Sequence, residues 1–409
     1  MEAKIFKLNQ QLSVVYSRSQ SEVAHVGLMS GVGSRNDGKS SSGISHFVEH
    51  MWFKGTTNRS SRQIIDEIEL LGGDFNAYTS KEETCIHVSV LRNSFKVALE
   101  VLLDIFYCSE FPTEELAKER EVILDEIDSY EDSPSELIFD DFEELLFQGT
   151  SLSKPILGNK ESLKDIDTKL MKSFYADNYL SSKTVLSFVG NIPYSEFKLE
   201  VEKLYFNYNA NMSKQTSNLN IELFDQKVFS NEVKKKTSQS HCVFGCKAFP
   251  WSDKLRLPMS MLNNILGGPY FSSILNYSLR EKNGLTYTIE SSYTPYSDTG
   301  SFVVYFGTDK KKVETCYDII KKEFKLVCES DLLKKNLSIY KQQVLGQLAL
   351  SYESNVGLMV SQAKSVLIYD KVDNFREITK KITNIDSQTL QEVANDILDF
   401  DKMSFLVYN

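Results

Sequence analysis

Residues 44–56 read ISHFVEHMWFKGT. Ile44, Phe47, Val48, Met51 and Trp52 recur at helical spacing, and Gly55 is a natural stop. The stretch therefore reads as an amphipathic helix whose polar side carries His46, Glu49 and His50. Residues four apart share a helix face, so the two histidines can present their imidazoles to a single ion. A divalent ion such as zinc takes nitrogen and carboxylate ligands in a tetrahedral shell, with one position left for water. Two histidines need a third ligand from elsewhere, and a free Glu49 beside them could deprotonate water, which is the inverted motif HxxEH. The competing reading is a solvated helix face that happens to bear these groups.

The segments around this helix set the fold class. LSVVYS and EVAHVGLMSGV alternate as paired strands before the polar loop SRNDGKSSSG. A second helix, SSRQIIDEIELLGG, ends at Gly72 and Gly73. DFNAYTSKEETCIHVSVL then alternates as strands, and NSFKVALEVLLDIFYC returns to helical spacing. The next helix starts at Thr113, a capping residue, followed by Glu114 and Glu115 at its positive end, with Pro134 beyond its stop. TVLSFVGN reads as a strand closing the first sheet, and the turn-rich FNYNANMSKQTSNLN, 206–220, reads as a linker.

The second half restarts the pattern. SQSEVAHVGLMSGV and SQSHCVFGCKAF share a start and an alternating apolar run, and placing His25 on His241 gives an offset near half the chain. The expectation is an α+β fold of two similar domains related by internal duplication, each a mostly antiparallel sheet packed with helices. Their expected extents are 1–210, carrying the metal site, and 211–409. A length of 409 residues is consistent with more than one core.

Composition narrows the function. Apolar residues at 41% and charged residues at 25% are the balance of a soluble globular protein. A net charge of −10 argues against sequence-independent nucleic-acid binding, which needs a basic face. No apolar stretch is long enough to span a membrane, and the first twenty residues lack a signal peptide's apolar segment, so a cytoplasmic chain is expected. The six cysteines are scattered without a CxxC pair, as reduced core thiols are. His241, Cys242 and Cys246 lie in an apolar alternating run and are read as core residues rather than a second metal site.

Within the 113–131 helix, Glu119 and Glu126 are two helical turns apart and share a face. Either can reach a metal held by another helix while the other orients a histidine, and spacing does not choose between them. HFVEHMWFKGT, LGGDFNAYTSKEET and EREVILDEIDSYEDSP together resemble the insulinase/pitrilysin-type zinc metallopeptidases, the inverzincins. The resembling subgroup is the short chains related to the mitochondrial processing peptidase β subunit. It continues through KPILGNKESL, FYADNYLSSKTVLSFVGN and LNNILGGPYFSSILNYSLREKNGLTYTIESSY, over nearly the whole chain.

The resemblance implies one Zn2+ per chain, with Glu126, 76 residues past His50 in VILDE, as third ligand beside His46 and His50. It implies Glu49 as general base and Glu119 as the accessory glutamate. Asn76, Ala77, Tyr78 and Thr79 would lie on an edge strand facing the zinc, able to bind an extended peptide as an added strand. Arg280 and Tyr287, in REKNGLTY, would bind the substrate backbone and stabilise the tetrahedral intermediate. Gly267, Gly268 and Pro269 depart from the family's longer glycine-rich run. The implied activity is endopeptidase cleavage of unfolded peptides in a cavity between two chains, the zinc site of one facing Arg280 and Tyr287 of the other. Because this chain carries both sets, a homodimer is expected. The alternatives are a non-catalytic scaffold or one subunit of a heteromeric processing peptidase.

Overall fold

A computed structural model describes residues 2–208 and 227–409. A helix ends at Tyr208. The rest of the expected 206–220 linker, and with it the division between 210 and 211, lies outside the described residues.

Among the described residues, six strands form the first sheet: β1 Lys4–Lys7, β2 Leu12–Arg18, β3 Val23–Ser30, β4 Asp74–Thr79, β5 Thr84–Leu91 and β6 Thr184–Gly190. Their order is β1-β2-β6-β3-β5-β4, antiparallel except for the β2/β6 pair. Five described strands form the second: β7 Ser230–Val233, β8 Ser240–Ala248, β9 Thr286–Pro295, β10 Gly300–Thr308 and β11 Ser404–Tyr408. Their order is β7-β11-β8-β10-β9, with only β7/β11 parallel. Removing β1 makes the two orders identical, strand for strand and direction for direction. His25 and His241 fall on equivalent strands, β3 and β8. The duplication read from one short match is therefore a property of the whole topology. β6 lies between β2 and β3, inside its sheet rather than at its edge.

Among the described residues, one compact unit comprises 2–127, 154–208 and 350–374, and the other 128–153, 227–349 and 375–409. Each unit thus takes a segment from the opposite half of the sequence. In the first, α1 (Ile44–Met51), α2 (Ser61–Glu69) and α3 (Phe95–Cys108) cover one sheet face, and α4 (Thr113–Glu131) follows them. Phe47, Val48, Met51 and Trp52 of this layer join Val26, Leu28, Ile86 and Val88 of the strands in one core. The other face is covered by the helix Asn355–Tyr369, whose Leu358, Met359, Ala363 and Val366 pack on Met29, Cys85, Val185 and Val189. At Gly27 a Cβ would meet the Met359 sulfur at 2.6 Å, so glycine permits this close approach. In the second unit, α5 (Pro134–Leu146) covers the equivalent face, placing Ile138, Phe142 and Leu146 against Val243, Leu406 and Tyr408. Full burial of each such side chain contributes roughly 1.5–3 kcal/mol.

All six cysteines are unpaired, and Cys242 and Cys246 lie in the second core. His241 is half-buried, with its Nδ1 2.8 Å from the Tyr305 hydroxyl. Among the described residues no helix is long and apolar enough to cross a membrane.

Candidate metal centre

The start of α1 is fixed before its polar side is reached. Gly43, at φ +90°, precedes the helix, and a Cβ there would meet the Leu157 carbonyl oxygen at 2.6 Å. The Gly43 N–H and the Ser45 hydroxyl donate to the buried Asp37 carboxylate at 2.7 and 2.6 Å. A carboxyl group at this end meets orphan N–H groups and the positive end of the helix. Burial raises Asp37 to about 7, with the hydrogen bonds from Ser45 and Gly43 opposing the rise.

From this start the apolar side of α1 turns into the core and His46, Glu49 and His50 face α4. Leu116, Ile123 and Ile127 form the buried stripe of α4, and Glu119, 8% exposed, sits within that stripe. The Glu126 Oε2 lies 3.5 Å from His50 Nε2 and 3.9 Å from His46 Nε2. One ligand atom from each of His46, His50 and Glu126 falls within 4.8 Å of the others. Glu119 takes a different position: its Oε2 is 3.1 Å from His50 Nδ1, on the opposite side of that ring, and its Oε1 is 2.7 Å from Lys54 Nζ. The two glutamates that helical spacing left equivalent are thus separated by the imidazole of His50.

Burial, reinforced by the neighbouring His50, holds His46 below the ordinary histidine range. Its ring is buried and its Nδ1 has no hydrogen-bond partner. For His50 burial pulls downward, but the hydrogen bonds and charges of Glu126 and Glu119 outweigh it and the net shift is upward. Glu126 is lowered, chiefly by its hydrogen bond with His50. Two imidazoles and a carboxylate converging among acidic groups fit the nitrogen and oxygen donor chemistry of zinc.

Glu49 stands beside this group. Burial raises its carboxyl above the ordinary range, while the hydrogen bond from Thr79 and the charge of His50 oppose the rise. The Thr79 hydroxyl donates to Glu49 Oε2 at 2.6 Å. A cavity of about 500 Å3 opens here, lined by Glu49, His50, Phe75, Asn76, Ala77 and Glu119 among others. β4 is the edge strand beside it, paired among the described residues only through β5. Its side chains divide: Ala77 packs with the α1 core, Thr79 reaches Glu49, and Tyr78 packs with Met29 and Cys85 on the other face. Asn76 pairs across from His87.

Arg280 and Tyr287 lie in the second unit, Arg280 on the short π-helical segment Asn276–Glu281 and Tyr287 near the start of the edge strand β9. The guanidinium sits 5.2 Å from the Tyr287 ring centre and 4.6 Å from that of Phe271. Both line a cleft of about 370 Å3 with Asn263, Asn264, Gly267 and Gly268. A Cβ at Gly267 or Gly268 would meet Ser291 N or the Asn264 carbonyl at 2.5 Å. Those two glycines are thus required by close approach.

Sequence reading missed Lys54 behind Glu119, the Asp37 cap and the hydroxyl of Thr79 on Glu49. An acidic residue in the loop ahead of a helix was a usable signal for Asp37. Lys54 and Thr79 depend on how α4 and β4 lie against α1, and no local spacing encodes that.

Known proteins resemble the chain along most of its length. Residues 13–160 match the family model described as insulinase (peptidase family M16), and 165–344 match the peptidase M16 inactive domain. The chain is 33% identical to the zinc protease YmxG of Bacillus subtilis, over 92% of this chain and 90% of that one. It is 27% identical to the mitochondrial-processing peptidase subunit beta of Dictyostelium discoideum, over 97% and 86% of the two chains. A Pseudomonas fluorescens structure described as a peptidase M16 inactive domain shares the fold with a TM-score of 0.91 at 18% identity, covering 100% of this chain and 98% of that one.

Proposed function

Because the chain belongs to peptidase family M16, the insulinase family, we propose that it is a zinc-dependent endopeptidase of the HxxEH type acting on unfolded peptides. The observation that carries this reading is the convergence of His46, His50 and Glu126 with Glu49 adjacent. A zinc ion held by those three residues would supply Lewis acidity toward water and the scissile carbonyl. Glu49 takes the proton of the attacking water and returns it to the leaving amine. Glu119, on Nδ1 of His50 and tied to Lys54, orients that ring so that Nε2 faces Glu126. An extended peptide adds to the outer edge of β4, unpaired among the described residues, along Asn76, Ala77, Tyr78 and Thr79.

Arg280 and Tyr287 hold the substrate backbone and meet the developing oxyanion, contributed by a second chain across a shared cavity of a cytoplasmic homodimer. Six acidic and two basic residues fall within 113–127, the part of α4 in the first unit. Negative charge on the helix that carries Glu126 favours cationic peptides. The similarity to a processing-peptidase subunit supports one competing reading, a heteromer in which this chain is the zinc-bearing member. The native mass and activity of the purified single chain distinguish the two. The main test is zinc content and cleavage of a quenched peptide by the natural protein and by Glu49→Gln. Zinc is expected in both and cleavage only in the first. Full cleavage by Glu49→Gln contradicts the reading.

A further inference from the structure

Glu49 projects from a helix surface into a cavity, where a three-carbon side chain has several rotamers. One of its carboxylate oxygens is held by the Thr79 hydroxyl at 2.6 Å, a short charge-assisted hydrogen bond. The interest of this contact lies in how firmly its donor is placed.

Thr79 is the last residue of β4, immediately before the turn Ser80-Lys81-Glu82-Glu83. Every residue of that turn is tied down. The Ser80 N–H donates to the Glu83 carbonyl at 2.8 Å, and the Ser80 carbonyl accepts from Ser34 N–H at 3.0 Å. Lys81 is buried, and its ammonium donates to the Lys154 carbonyl at 2.6 Å. Glu82 pairs with the buried Arg35 at 2.7 Å, and Glu83 pairs with Lys364. A Cβ at Gly33 would meet the Ser80 carbonyl oxygen at 2.3 Å, so the loop lies as close to the turn as backbone allows.

The same loop holds the other partner. Three residues after Ser34 comes Asp37, whose carboxylate accepts from Gly43 N–H and the Ser45 hydroxyl at the start of α1. Loop 33–37 therefore grips the end of β4 on one side and the start of α1 on the other. It sets the spacing between the strand that carries Thr79 and the helix that carries Glu49. A hydroxyl at the end of a strand fixed this thoroughly holds a carboxylate in one direction, whereas an unfixed one would follow it.

We propose that Thr79 is a positioning residue for Glu49: its hydroxyl, anchored through loop 33–37, keeps the carboxylate aimed into the cavity. This rests on Glu49 being the general base. The Thr79 side chain acts through Glu49, whose Oε2 it holds. The hydroxyl, not the volume of the side chain, carries the effect.

The test compares natural protein, Glu49→Gln, Thr79→Val and Thr79→Ser for kcat, KM and zinc content on one quenched peptide. Thr79→Val keeps the shape and removes the donor. Its kcat is expected to fall about 10- to 100-fold, the worth of a hydrogen bond to a charged group, with KM and zinc content unchanged. Thr79→Ser is expected to recover most of that loss. A kcat for Thr79→Val within twofold of the natural value overturns the proposal. So do equal losses in Thr79→Val and Thr79→Ser, because packing rather than the hydroxyl would then be responsible. Natural protein without cleavage, or Glu49→Gln with full cleavage, sinks the general-base reading instead.

Discussion

The helix α1 of the first unit and the helix Arg256–Gly267 of the second occupy equivalent places after equivalent strands, yet only α1 carries histidines and a carboxylate. Their apolar faces match position for position. Ile44, Phe47, Val48, Met51 and Trp52 correspond, 214 residues on, to Pro258, Met261, Leu262, Ile265 and Leu266, and all ten are buried. In the same register His46, Glu49 and His50 correspond to Ser260, Asn263 and Asn264. The apolar face of the helix builds the fold, and its polar face is free to gain or lose chemistry. The difference agrees with the match of 165–344 to an M16 domain described as inactive. The second unit instead presents Arg280 and Tyr287 beside its own edge strand β9.

If the comparison is right, the polar face of α1 can be rewritten as that of its counterpart. The triple change His46→Ser, Glu49→Asn, His50→Asn is expected to abolish peptide cleavage and zinc retention, with circular dichroism and the cooperative melt preserved. A chain that no longer folds would show that the three residues also build the unit.

The apolar faces should behave alike. Phe47→Ala is expected to cost about 3–5 kcal/mol and Leu262→Ala about 2–5 kcal/mol in chemical denaturation, since both truncate fully buried side chains. A cost near zero for either would break the equivalence. A smaller effect is expected at Glu119→Gln, which keeps the size of the side chain and weakens its bond to His50 Nδ1. Zinc affinity by chelator competition should fall about 10- to 100-fold. Unchanged affinity would mean that Glu119 serves Lys54 rather than the histidine.

Much of this was legible in residues 44–56 and 113–131. Hydrophobic spacing gives α1 and α4 and shows that His46, Glu49 and His50 share a side, because helical geometry is local. The alternating runs give the strands, and the match of His25 to His241 points to the repeat. The exchange of α5 and the helix Asn355–Tyr369 between units was not legible. An amphipathic pattern says that a face is buried without saying which sheet covers it. The separate places of Glu119 and Glu126 were not legible from spacing either, because residues seven apart stay on one face and only the neighbouring ring distinguishes them. The contact from Thr79 to Glu49 depends on the register of β4 against α1, which alternation leaves open.

The central claim is that His46, His50 and Glu126 hold one zinc ion with Glu49 beside it. Crystals of zinc-loaded Glu49→Gln protein, measured on both sides of the zinc absorption edge, test it directly. The account predicts one anomalous peak per chain between His46, His50 and Glu126, with Glu119 on the far side of His50 outside the coordination shell. No peak there, or a peak coordinated by Glu119 in place of Glu126, would contradict it.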